Sequence, residues 1–197
     1  MKIKKFIILI LIILATISLG LFSLLYFKVE ETDALKFSKE YEITEDNVFT
    51  YRTSTEIINI LKHGTGVVYL GFPECPWCKA YVDILNEVAK ENNIKKIYYF
   101  DILEDRKNNS EDYQKIVSLL GDNLLYDEEG NKRIYVPDIT VIIDGEIIGH
   151  NNETSVIDKD ITPEQYWSIE NKQKLKQELK MYFEQIKESS CSDICDR

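Results

Sequence analysis

Four cysteines stand in two close pairs: Cys75 and Cys78 in a Cys-Pro-Trp-Cys run, Cys191 and Cys195 in a Cys-Ser-Asp-Ile-Cys run. A redox dithiol needs one sulfur that ionises easily and a second within reach to resolve a mixed disulfide. The spacing of Cys75 and Cys78 meets both needs if the pair straddles the first turn of a helix. Cys75 then falls at the N-cap, where unpaired N–H groups and the helix dipole favour a thiolate, and Cys78 faces it one turn on. Pro76 suits the first helical position, with a preset φ and no N–H to leave unpaired. Trp77 is expected as an exposed platform beside the sulfur, against which substrate packs. The same spacing also serves structural zinc or a purely structural disulfide. For zinc, the remaining ligands would have to come from His63, His150 or the distant Cys191 and Cys195, none with paired-ligand spacing near this site. No metal ligand set is assigned.

The neighbouring sequence supplies the strand and helix that this placement requires. Val67–Phe72 is a continuous apolar run of the kind a buried central strand shows, and it leads straight into the Cys75 motif. A helical pattern follows from Ala80 to Glu91, with apolar residues at 81, 82, 84, 85, 88 and 89. Earlier, 48–51 reads as a short strand and Ser54–His63 as an amphipathic helix capped by Thr53 or Ser54 and stopped by Gly64 and Gly66. Lys96–Ile102 reads as a second buried strand. A polar insertion at about 104–133 holds one helix-like segment around Tyr113–Leu120 and is read either as an active-site rim that selects partners or as a decorated acidic surface. Asp144-Gly145 sets a hairpin between 139–143 and 146–150. A final helix is predicted from about Pro163 to Lys187, capped by Thr162. Helix-linked parallel strands followed by a hairpin make an α/β fold, a central mixed sheet flanked by helices.

Charge and hydropathy divide the chain unevenly. There are 24 Lys and Arg against 34 Asp and Glu, a net charge of -10, while residues 1–28 carry four Lys and no acid. So acidic a body repels phosphate backbones, and no nucleic-acid partner is expected. Residues 6–27 form 22 positions without a charge, which as a helix span about 33 Å, enough to cross a membrane. Lysines before the run and acids after it place the N-terminus in the cytoplasm and the body outside. Residues 1–28 are therefore read as an N-terminal transmembrane anchor, with a cleaved signal peptide as the alternative. Residues 29–47, charged with scattered apolar positions, read as a stalk or linker with room for a short helical stretch; 48–190 form the folded domain and 191–197 a Cys-containing tail. In an oxidising compartment either Cys pair can form a disulfide.

The run VVYLGFPECPWCKAYVDIL, with IYVPDITVIIDGEIIG downstream, resembles the thioredoxin superfamily. The GFPECPWC motif, the N-terminal anchor and the acidic insertion before Val136-Pro137 resemble the membrane-anchored thioredoxin-like proteins of Gram-positive bacteria known as bacteriocin transport accessory proteins. The likeness covers roughly residues 48–187. It implies a thioredoxin-like fold and a membrane-tethered thiol–disulfide oxidoreductase without cofactor, with Cys75 as nucleophile and Cys78 as resolving thiol. It further implies that Pro137 is a cis-proline packed beside the dithiol, and that the backbone of Val136 pairs with an extended substrate. Protein or peptide thiols and disulfides would be its substrates, with a redox partner or export machinery in the membrane. The other reading is a non-catalytic accessory protein for bacteriocin or peptide export. Where the superfamily has a buried Asp six residues before the first Cys, this chain has Tyr69.

Three readings of Cys191 and Cys195 stand side by side: a structural disulfide, which we favour, a second redox relay, and two free thiols. Helical i,i+4 geometry fits a disulfide poorly, so bonding calls for a helix break near Ser189–Ser190. Closing so short a loop contributes about 2 kcal/mol in the chain-entropy model. His63 reads as a solvated or C-capping residue and His150 as a surface residue.

Overall fold

The computed structural model describes residues 4, 10, 13–18, 31–152 and 160–195, the last eight of these (188–195) by backbone alone. The chain divides into two units, Met1–Thr32 and Asp33–Arg197. In the first, residues 13–18 are helical and exposed. Most of the apolar run 6–27, and with it the anchor, lies outside the described residues. Among the described residues no helix is long and apolar enough to cross a membrane.

The second unit is a mixed α/β domain. Its elements are α1 (Asp33–Tyr41), β1 (Phe49–Tyr51), α2 (Ser54–His63), β2 (Gly66–Gly71), α3 (Pro76–Glu91) and β3 (Ile97–Asp101). There follow α4 (Leu103–Lys107), α5 (Glu111–Leu120), β4 (Leu125–Tyr126), β5 (Lys132–Arg133), β6 (Asp138–Ile143), β7 (Glu146–Asn151), α6 (Pro163–Tyr166) and α7 (Ile169–Cys195). Five strands form one sheet in the order β1-β3-β2-β6-β7. The pairs β1–β3 and β3–β2 are parallel, while β2–β6 and β6–β7 are antiparallel. Strand β2 is central and buried on both faces. Its alternating side chains feed two cores: Val67 and Tyr69 join α1, α3 and α7, and Val68 and Leu70 join α2 and α5. Such two-sided burial is why β2 reads as an unbroken apolar run.

Local chemistry sets the boundaries. Thr53 and Glu56 form a reciprocal capping box at the start of α2. The hairpin turn holds Asp144 at φ 51° and Gly145 at φ 82°, and a Cβ on Gly145 would lie 2.2 Å from the Lys62 carbonyl oxygen. Both the left-handed backbone and the close approach call for glycine there.

Four expectations need correction. Residues 29–47 are not simply a stalk: α1 buries Phe37 and Tyr41, whose rings stack 4.3 Å apart. Phe37 also stacks on Phe49 of β1 at 3.9 Å. The insertion is not merely an edge decoration, because α5 buries Tyr113, Ile116, Val117 and Leu120 in the second core. The terminal helix is two. Thr162 caps α6 with a Gln165 box, and the chain breaks at Trp167, which is buried. Ser168 then accepts from Asn171 N as α7 begins, and α7 runs on to Cys195, into the residues read as a tail. The His150 side chain is largely covered rather than superficial. Its Nε2 lies 3.0 Å from Asp138 Oδ2, with side-chain exposures of 7% and 0%. Burial lowers the His150 pKa, but the charge and hydrogen bond of Asp138, with the charge of Glu178, together outweigh it, leaving the imidazole above its ordinary range.

Candidate functional site

The strand β2 ends at Gly71, and Phe72-Pro73-Glu74 turn the chain into α3. Cys75 N donates to Phe72 O at 3.2 Å, closing that turn. Cys75 is the N-cap of α3 with an extended backbone, and Pro76 opens the helix. Its sulfur accepts from Cys78 N at 3.1 Å, so it uses an N–H that the helix start leaves unpaired. Both thiols are free, Cys75 at 8% exposure and Cys78 at 0%. The two sulfurs face different environments. Cys75 lies below the ordinary thiol range: hydrogen bonding from Cys78 leads, burial opposes it, and the N–H groups of Cys78 and Trp77 and the charge of Arg106 add to it. Cys78 is pushed well above that range, first by burial and then by its hydrogen bond to Cys75 and the Cys75 charge. The pair thus holds one thiol biased toward the thiolate and one biased against it.

The Val136–Pro137 bond is cis. It brings the Val136 carbonyl opposite the dithiol, 3.9 Å from Cys75 Sγ as acceptor. Residues 75, 78, 136 and 137, far apart in the chain, therefore meet at one end of the sheet. Trp77 departs from expectation. It is half-buried and packs edge-on against Tyr166 of α6, with ring centroids 5.6 Å apart. Pairing of Cys191 with Cys195 lies outside the described residues, since those side chains are not described.

Sequence reasoning missed one neighbour of the dithiol, Arg106, and named a second, Tyr69, without giving it a role. Arg106, on α4 within the insertion, stacks over Phe72 at 4.9 Å and donates to Ile134 O at 3.5 Å. Its charge favours ionised Cys75, whereas Glu74, the adjoining carboxylate in sequence, is exposed. No spacing rule links positions 75 and 106, so only the fold reveals the pair. Tyr69, in place of a buried Asp, lies fully inside the core, and its hydroxyl makes no hydrogen bond of ordinary geometry. The phenol stays neutral because burial drives its pKa far up, with the Cys78 charge next. Its nearness favours the Cys78 thiolate, against the stronger effect of burial. A Cβ on Gly71 would sit 2.7 Å from that hydroxyl, so glycine leaves the phenol its space.

Among the described residues no group of three His, Cys, Asp or Glu is placed to hold a metal ion. Comparison with protein-family models, curated proteins and solved structures finds no match to this chain.

Replacing Arg106 by Met is expected to move the alkylation of Cys75 by iodoacetamide to higher pH, because the thiolate loses a nearby cation. The rate–pH profile of the single-thiol Cys78→Ala background checks this. An unmoved midpoint would show that the guanidinium does not act on the sulfur.

Proposed function

We propose that this protein is a membrane-tethered, extracytoplasmic thiol–disulfide oxidoreductase of thioredoxin-like fold. The observation that carries the reading is the asymmetry of the pair. Cys75 is held as an acidic N-cap thiol under the Val136 carbonyl, while Cys78 is buried and masked one turn away. A mixed sheet of parallel strands joined to a terminal hairpin agrees with the thioredoxin-like assignment. The tether rests on the uncharged run 6–27 and its flanking lysines.

In the proposed reaction Cys75 thiolate attacks one sulfur of a substrate disulfide. A Cys75–substrate S–S bond forms and the other substrate sulfur leaves as thiolate. Cys78, on losing its proton, attacks Cys75 Sγ. The second substrate sulfur departs, and the dithiol is left as a disulfide with the substrate reduced by two electrons. Run backwards, the same steps oxidise a substrate dithiol. Tyr69 is suited to assist the second attack by donating to Cys78 as its charge develops.

The expected result of an insulin-reduction or RNase-refolding assay is activity in the wild-type chain and none in Cys75→Ser. Equal activity in the two proteins would overturn the enzymatic reading and leave the fold as a binding module for exported peptides.

A further inference from the structure

The insertion forms a cleft of about 640 Å3 between α4–α5 and the β4–β5 hairpin. Arg106, Lys132 and Arg133 line it, together with the amides of Asn109, Gln114 and Asn131. Lys132 is already paired with Asp122 at 2.5 Å. The two arginines are not: among the described residues neither has a carboxylate within ion-pair distance. Arg106 stacks on Phe72 and Arg133 on Tyr135, at 4.9 and 5.7 Å. Burial, and then the charge of Arg133, lowers the pKa of Arg106. Two unpaired like charges are unexpected in a chain of net charge -10. The cleft's own acids do not relieve them. Asp127 Oδ1 accepts the N–H groups of Glu129 and Asn131, closing the hairpin turn, and Glu129 is exposed at its tip.

The cleft is linked to the dithiol through two of its residues. Arg106 stacks over Phe72, whose carbonyl accepts from Cys75 N, and Arg133 precedes by three residues Val136, whose carbonyl faces the Cys75 sulfur. We propose, building on the reading above, that the Arg106–Arg133 cleft is the specificity subsite of this dithiol and takes the carboxylates of an acidic peptide beside the reacting cysteine. Guanidinium forks match carboxylates bidentately, and a bound carboxylate removes the repulsion between the two arginines. The body's overall negative charge opposes acidic ligands at long range. At 0.1 M salt, however, it is screened beyond about 10 Å, whereas contacts inside the cleft are not.

The test uses the full-length chain in detergent, reduced, and two disulfide-linked peptides that differ only in Asp-Glu or Lys-Lys flanks. In single-turnover exchange at 0.1 M salt the acidic peptide is expected to react about tenfold faster. Arg133→Glu should abolish or invert that ratio and Arg133→Lys should keep most of it, with circular dichroism reporting the fold. Equal wild-type rates, or a faster basic peptide, would overturn the proposal. If neither peptide exchanges, the oxidoreductase reading fails, and the cleft is judged by fluorescence anisotropy with the same peptides carrying Ser for Cys. Tighter binding of the acidic one, lost in Arg133→Glu, supports the cleft; equal binding removes it.

Discussion

With Cys78 replaced by Ala, the protein is expected to stop at the first covalent stage, holding one equivalent of substrate through Cys75 and losing multiple turnover altogether. The substitution takes away the resolving thiol and its hydrogen bond to Cys75. It leaves the backbone N–H at position 78, which donates to the Cys75 sulfur at 3.1 Å, and it leaves Trp77 N–H and Arg106. Cys75 therefore keeps these three contributions to its thiolate, ionises less readily than in the wild type, and still attacks. Resolution cannot, because Cys78 alone lies a turn from that sulfur among the described cysteines. A non-reducing gel shows the adduct, and mass spectrometry of the released partner names it. Turnover at the wild-type rate would sink the two-step scheme. So would the absence of any adduct while Cys75 still reacts with iodoacetamide.

The second large effect is on stability. Phe37→Ala is expected to destabilise the domain by about 3–5 kcal/mol, the range for deleting a fully buried aromatic ring. Phe37 stacks on Tyr41 and Phe49 and meets Tyr99 edge-on at 4.9 Å, so its loss opens a void where α1, β1 and β3 join. Glu45→Ala, at an exposed site in the same stretch, should change stability by no more than about 0.5 kcal/mol. Urea denaturation of both variants checks the contrast. A Phe37 loss as small as that of Glu45 would mean that α1 is a peripheral strap after all.

Much of the β2–α3 junction was legible because several signals agree there. An apolar run, a turn, an N-cap Cys, a Pro at the first helical position and an amphipathic stripe all specify one start of one helix. The hairpin was legible for the same reason, since Asp144-Gly145 fits the left-handed turn it adopts. The misreading of residues 29–47 has a definite physical source. Phe37 and Tyr41 stand four apart among charges, a weak stripe, and what buries them is a set of aromatic partners on strands far along the chain. His150 was misplaced because only the β6–β7 pairing brings it to Asp138. The register sets Thr140 directly opposite His150, and Asp138 lies two residues further along β6 on the same face. Arg106 was invisible to spacing altogether. It reaches the dithiol only because α4 follows β3 directly at the same end of the sheet as the start of α3.

Reduced and oxidised dithiols differ in what the start of α3 can stabilise. A thiolate at Cys75 draws on the N–H groups of Trp77 and Cys78 and on Arg106; a sulfur bonded to Cys78 carries no charge for them to meet. Whatever these groups contribute to the reduced fold is absent from the oxidised one. The cycle connecting folding with oxidation then requires that difference to appear as electron affinity, at about 30 mV for each 1.4 kcal/mol. The gap between the unfolding free energies of the two forms is thus a direct gauge of how strongly the disulfide oxidises relative to that of the unfolded chain.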